Sequence, residues 1–351
     1  SAEMAALDAA LARAPNHVEN LSRRAYVLGA ANRHDEALAA YERVLALSPN
    51  DPAALYAKCD LLLSAGDFEN GLPLYEVRHH QHGRITPMSS APPWQGQSLE
   101  GKSILVQGEQ GFGDLFQFCR FIPELAARGA KVILQERAPT LALLRSLEGV
   151  AEVVAASEPA PVADFQIPLA SLMLALGVRV DAIPAPIPYL HAEPARVERW
   201  RQTLGPSQRR RAGVVWSGIT RHAMQKWRSL DTAALAHLLQ ADADMISLQM
   251  ENNATAERYG VRQFGAEIAD FAELAALIEN LDVVVSIDTG VAHLAGALGK
   301  PVLLMAPFRA DWRWLRDRAD TPWYPNMRIL RQPRFGDWRS VIADVHAALQ
   351  E

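Results

Sequence analysis

Leu281-Asp282-Val283-Val284-Val285-Ser286-Ile287-Asp288-Thr289-Gly290-Val291-Ala292-His293-Leu294-Ala295-Gly296-Ala297-Leu298-Gly299-Lys300-Pro301 is the stretch whose reading decides the fold. Val283 to Ile287 is a β-branched run, suited to a strand buried on both faces. Asp288-Thr289-Gly290 breaks that run. Apolar residues then recur at helical spacing: Val291, Leu294, Ala295 and Leu298. Gly299 suits the left-handed residue past a helix end, and Pro301 bars continuation. Val302 to Met305 reads as a second buried strand. A helix start exposes unpaired N–H groups and carries about +0.5 charge. Gly290 leaves room for close approach of a backbone or ligand. Asp288, Thr289 and Gly290 thus form a candidate anion site at the carboxyl end of a parallel strand, with His293 one turn further on. The alternative is a structural helix that Asp288 or Thr289 caps through a side-chain oxygen.

The 351 residues suffice for about two or three domains. With 49% hydrophobic and 21% charged residues the composition is that of an ordinary globular chain. A net charge of −5 offers no basic surface to nucleic acid. Cys59 and Cys119 sit in apolar contexts, which suits small core residues in a reducing, cytoplasmic setting rather than metal ligands. Neither a signal peptide nor a membrane span is expected. The most apolar window, Val291 to Phe308, is interrupted by His293, Lys300, Pro301 and Pro307.

Residues 1–84 repeat with a period of 34: Pro15 and Pro49, Leu21 and Leu55, Leu28 and Leu62, Ala37 and Gly71, Tyr41 and Tyr75. Small residues at a helix crossing, an aromatic in the second helix and a closing proline resemble the tetratricopeptide repeat. Residues 4–15 read as the second helix of a truncated copy, and 18–49 and 52–82 as fuller ones, with the inter-helix turn of the last at Gly66-Asp67. Ser1 followed by half a repeat leads us to expect a natural chain that begins further upstream. The repeats could form a concave surface for a protein segment or a stacked helical spacer. His79, His80 and His82 read as a solvated helix end rather than a metal site. Thr86 to Pro93 reads as a linker, within 85–98.

Two alternating β/α sets follow, expected at 99–205 and 206–336, before a last amphipathic helix at 337–351. In the first set, the strand Lys102–Gln107 leads into Gly108-Glu109-Gln110-Gly111-Phe112-Gly113-Asp114, then into a helical face of Leu115, Phe118, Ile122 and Leu125. The glycine spacing is wrong for a dinucleotide fingerprint. Asp114 stands at the helix entrance, either as an N-cap or as a carboxylate base at a switch point. In the second set, the strand Ala212–Trp216 ends in Ser217-Gly218-Ile219-Thr220-Arg221-His222, and Lys226, Arg228 and Ser229 close the loop. These cations are either solvated or hold a phosphate beside Thr289, with Gln249 at the end of the next strand joining them. The aromatic run Trp312, Trp314, Trp323 and Tyr324 is either a stacking lip or core.

Gly111 to Asp114, the loop Trp216 to Ser229, and Ser286 to Ala295, with Pro307-Phe308 and Asp311-Trp312-Arg313-Trp314, together resemble the tetratricopeptide-containing bacterial glycosyltransferases, relatives of the lipopolysaccharide heptosyltransferases. The resemblance covers roughly residues 90–350 and the repeats before them. It implies an α/β fold of the GT-B kind: two Rossmann-like, doubly wound parallel-sheet domains facing a cleft, preceded by an all-α repeat segment. It further implies Asp114 as general base. The donor set it implies is Gly111, Gly113, Ser217, Thr220, His222, Lys226, Arg228, Ser229, Gln249, Asp288, Thr289, Gly290 and His293. The loop at Lys226 departs from the heptosyltransferase pattern, so heptose is not implied. The expected activity is metal-independent, inverting transfer of a sugar from a nucleotide sugar to a protein hydroxyl, of flagellin or another surface protein, which the repeats recruit. No cofactor is expected. A glycan or lipopolysaccharide acceptor, and a non-catalytic repeat scaffold, are the alternatives. The partners expected are the nucleotide sugar and the protein acceptor, with homo-oligomerisation left open.

Overall fold

In a computed structural model of the protein, residues 2–81, 89–184, 186–218, 225–251 and 253–351 are described, without the side chains of His80, Gln81, Gln225 and Lys226. Among them no helix is long and apolar enough to cross a membrane. The chain forms two compact units.

The first unit comprises Ser1–Thr86, Gly177–Ala182 and Arg309–Asp317. Its helices are α1 (Ala2–Arg13), α2 (Val18–Ala30), α3 (His34–Leu47), α4 (Pro52–Ser64), α5 (Phe68–Tyr75) and the short α6 (Arg78–Gln81). Local signals set the ends. Asp51 accepts from the Ala54 N–H at 2.9 Å, with Pro52 at the first helical position, and Asp67 accepts from the Asn70 N–H at 3.1 Å. Gly66 takes a left-handed φ of 81° in the turn between α4 and α5. The 34-residue period has a steric meaning at Ala37 and Gly71. Ala37 is fully buried, and a Cβ on Gly71 would lie 2.6 Å from Leu63. Leu21, Ala25, Leu28, Ala40, Tyr41 and Val44 form a shared core between neighbouring helices. Trp312, in a 3₁₀ turn, meets Phe68 and Tyr75 edge-on at 6.1 and 5.7 Å. Arg313 donates to Asp311 at 2.8 Å and to the Tyr75 hydroxyl at 3.2 Å, and the Arg316 N–H donates to the Ser64 carbonyl.

The second unit comprises Pro87–Leu176, Ile183–Phe308 and Arg318–Glu351 and holds two parallel sheets. Its first lobe contains β1 (Ser103–Gln107), α7 (Phe112–Phe118), α8 (Ile122–Ala127), β2 (Lys131–Glu136), α9 (Leu141–Leu144), β3 (Val150–Ala155), β4 (Phe165–Pro168) and α10 (Leu172–Ala175). The strand order is β3-β2-β1-β4. The linking helix α11 (Pro194–Leu204) leads to the second lobe. That lobe contains β5 (Arg211–Val215), α12 (Gln225–Arg228), α13 (Thr232–Leu238), β6 (Asp244–Ser247), α14 (Ala254–Arg258), β7 (Arg262–Gln263), α15 (Phe271–Glu279), β8 (Val283–Ile287), α16 (Gly290–Ala297), β9 (Val302–Ala306), β10 (Met327–Arg331) and α17 (Trp338–Gln350). Its order is β10-β9-β8-β5-β6-β7, every pair parallel. Every residue of β8 and β9 is buried, as a sheet covered on both faces requires. Two parallel-sheet lobes after a helical repeat segment are what the GT-B resemblance implies.

Candidate active site

Pairing of β5 with β8 sets Val215 beside Ser286, and pairing of β8 with β9 sets Ile287 beside Met305. The turns after these strands therefore open on one sheet edge, the carboxyl edge. α16 starts at Gly290 with Thr289 as N-cap, yet Thr289 makes no side-chain cap bond. Its hydroxyl lies 3.2 Å from that of Ser286, so capping is not what Thr289 does here. Arg228 Nη1 stands 3.9 Å from Asp288 Oδ2, while its buried Nε has no hydrogen-bond partner among the described residues. Asp288 is 8% exposed.

The loop after β5 is held from the next strand. Gln249 Oε1 accepts from the Trp216 N–H at 3.1 Å, the Ser217 N–H at 2.9 Å and the Ser217 hydroxyl at 3.3 Å. Leu230 N–H, just past Ser229, donates to the Trp216 carbonyl at 2.9 Å and closes the loop. Ser217, Arg228, Ser229 and Gln249 thus belong to one structure beside Asp288. Thr220 and His222 lie outside the described residues. Lys226 contributes its backbone to α12, and its side chain lies outside the description.

On the first lobe, Gly111 is the N-cap of α7, and Asp114 is its third residue rather than its cap. The Gly111 N–H donates to Asp114 Oδ2 at 2.8 Å, the reaching-back half of a capping box. The two lobes meet here. A Cβ on Gly113 would lie 3.0 Å from Cδ2 of His293 and 3.6 Å from Cα of Gly290. A Cβ on Gly290 would lie 3.3 Å from the Gly113 nitrogen. Two helix starts, each a positive dipole end, therefore abut, with Asp114 in the first turn of α7 and Asp288 just before the cap of α16. Phe112 is gripped between Arg137, 3.9 Å over its ring, and Phe271, with ring centroids 4.6 Å apart.

His293 is 3% exposed, and its Nδ1 lies 3.0 Å from the Tyr324 hydroxyl. Tyr324 stood in the sequence only as one of an aromatic run. Trp312, Trp314, Trp323 and Tyr324 are all buried, which makes them core rather than an open stacking lip. Arg120 is likewise a residue that sequence reading passed over. Its guanidinium is buried against Tyr189, Trp323 and Tyr324, and it donates to the Trp323 carbonyl at 2.8 Å and the Pro184 carbonyl at 3.1 Å. Among the described residues no group of three or more His, Cys, Asp or Glu side chains is placed to hold a metal ion.

Residues 213–305 match the family model for glycosyltransferase family 9 (heptosyltransferase), and residues 28–73 match that of a tetratricopeptide repeat. Protein FlbA of Caulobacter vibrioides is 25% identical over 98% of this chain and 63% of its own length. The chain thus spans just under two thirds of that relative. A glycosyl transferase family 9 structure from Veillonella parvula is similar with a TM-score of 0.50 at 10% identity, over 68% of this chain and 88% of that one. The ADP-heptose lps heptosyltransferase II of E. coli is similar with a TM-score of 0.47 at 15% identity, over 71% and 98%. At 10% identity the likeness to the Veillonella parvula structure speaks to the fold alone.

Proposed function

We propose that this glycosyltransferase, a family 9 domain preceded by tetratricopeptide repeats, moves a sugar from a nucleotide-sugar donor to a protein hydroxyl. The acceptor is flagellin or another surface protein, and the repeats recruit it. The observation that carries the reading is the junction at Gly113. It puts the first turn of α7, which bears Asp114, against the start of α16, the end of the strand–turn–helix unit that offers anion-binding backbone. Asp114 takes the proton of the attacking hydroxyl as general base, so the sugar inverts in a single displacement. The N–H groups at Thr289 and Gly290, with Arg228 and Lys226, neutralise the departing nucleotide diphosphate without a metal. Gln249 acts indirectly, by fixing the backbone of Ser217.

Asp114→Asn is the discriminating variant, because the amide oxygen can still accept from the Gly111 N–H while the basic carboxylate is gone. With a panel of nucleotide sugars and candidate protein acceptors, we expect transfer to fall about a hundredfold or more with nucleotide affinity kept. Transfer at the parental rate would remove Asp114 as base. Failure of the parent protein to bind any nucleotide sugar in calorimetry would favour a non-catalytic scaffold.

A further inference from the structure

The strand β2 ends in a buried acid, and a cation follows it. Glu136, the last residue of the strand, is 2% exposed, and Arg137 leads into the 3₁₀ turn Ala138–Thr140. Glu136 Oε1 accepts from the Arg137 N–H at 2.7 Å and from Arg137 Nε at 2.8 Å. The pairing of Gln107 with Gln135 sets Gly108 beside Glu136, and a Cβ on Gly108 would overlap Glu136 Oε2. The glycine thus leaves the space that the carboxylate fills. The Phe112 ring centroid lies 3.9 Å from the Arg137 guanidinium carbon. Backbone, Nε and planar face of Arg137 are therefore each held. Among the described residues neither Nη nitrogen has a hydrogen-bond partner, and the side chain is 41% exposed.

A solvated loop cation is the ordinary alternative. It does not account for Glu136. Burying a carboxylate is costly unless it is paired, and the strongest pair with arginine is the fork of two parallel N–H···O bonds. Here only Oε1 is used, and the buried Oε2 has no hydrogen-bond partner among the described residues. The acid holds the stem side of the guanidinium and leaves the outer fork for something else. Its place says for what. Phe112 is the first residue of α7, two before Asp114, and a Cβ on Gly290 would lie 3.4 Å from Phe112 Cβ. One side chain thus joins Arg137 to the start of α16, where backbone N–H groups offer an anion seat.

We propose that Arg137 is a phosphate-binding residue supplied by the first lobe. Its two Nη nitrogens take an oxyanion of the nucleotide diphosphate whose other oxygens meet the backbone at Thr289 and Gly290, and Glu136 is the positioning residue that aims the guanidinium. The Glu136–Arg137 pair carries little net charge, so recognition comes from directed N–H donors. Little ordering is left to be done on binding, because the side chain is fixed beforehand. The nucleotide as source of the oxyanion rests on the transferase reading above; the oxyanion seat itself does not.

Calorimetry with inorganic pyrophosphate, and separately with ADP, UDP, GDP and dTDP, reads the two statements apart. The parent should bind pyrophosphate, and Arg137→Ala should weaken that binding about tenfold or more. Arg137→Lys keeps the charge without the fork and should recover only part of the loss. Glu136→Ala should lose affinity although Arg137 is intact, and Glu136→Gln, whose amide oxygen can still accept from both N–H groups, should restore it to within about threefold. Absence of pyrophosphate binding by the parent, or equal binding within about twofold by Arg137→Ala, would overturn the proposal. Unchanged affinity in Glu136→Ala would remove Glu136 as the positioning residue. Among the nucleotides, whichever the parent binds should lose affinity in Arg137→Ala as pyrophosphate does. Nucleotide affinity kept in that variant would refute the assignment to the diphosphate and leave an acidic group of the acceptor as the partner. A parent that holds pyrophosphate through Arg137 and binds none of the nucleotides would count against the transferase reading alone.

Discussion

Replacing Asp60 with asparagine should stabilise the repeat unit at neutral pH and leave it unchanged in acid. Asp60 stands on α4, and its carboxyl is pushed up from 3.8 to about 6. Burial is the main cause; the Asp311 carboxylate adds to it, and Arg309 and Arg313 offset only part. An acid whose pKa rises on folding holds its proton more tightly when folded. Below about pH 4 the group is protonated in both states and imposes no penalty. As pH climbs from about 4 to about 6 the unfolded chain releases the proton first, so stability falls. Above pH 6 the loss is complete. At 1.36 kcal/mol per pH unit, the gap between 3.8 and 6 sets an upper bound of about 3 kcal/mol. Asparagine has nothing to ionise and escapes this loss. Hydrogen exchange of the α4 amides, corrected for intrinsic rates, should show Asp60→Asn protected up to about a hundredfold more than the parent at pH 7 and equally at pH 4. Lower protection in the variant at pH 7, or a ratio that does not change with pH, would refute the reasoning.

Two further outcomes concern packing. Trp312→Ala removes the ring set between Phe68 and Tyr75, and it should destabilise the repeat unit by about 3–5 kcal/mol, read as an earlier first transition in calorimetry. Cys59 and Cys119 are free and buried, and burial pushes both thiols up, Cys119 to about 12. Iodoacetamide should leave both unmodified in the native protein and alkylate both in urea, as mass spectrometry will show.

The strand, turn and helix at 283–297 were legible because every signal there is local: a β-branched run, a glycine turn, a helical stripe, and Gly299 at φ 79° after the helix. The repeat period was legible for the same kind of reason, since Ala37 and Gly71 are small where helices cross. Longer-range choices were not. The apolar face from Leu115 to Leu125 suggests one helix, yet a 3₁₀ turn at Cys119–Phe121 divides it, and Pro123 sits in the first turn of the next helix. The strand Arg262–Gln263 and the helix before it are short and polar, with little periodicity to announce them. At the site, Asp288, Thr289, Gly290 and His293 were visible as a motif. The neighbour of His293, Tyr324, lies 31 residues away in the chain, and its partnership is made only by tertiary packing. Asp114 was placed at the helix entrance, but its bond to Gly111 depends on which residue begins the first turn.

The repeat unit is assembled from three separate runs of chain, two of which come from far downstream. Genetic excision of the N-terminal helices would consequently not yield a tidy catalytic fragment. It would strand Trp312, Arg313 and Arg316 without Phe68, Tyr75 and Ser64, and turn an indole that is now 2% exposed into a sticky surface. Whoever dissects this protein should expect the shortened version to clump, and should exchange side chains in place instead of trimming the gene.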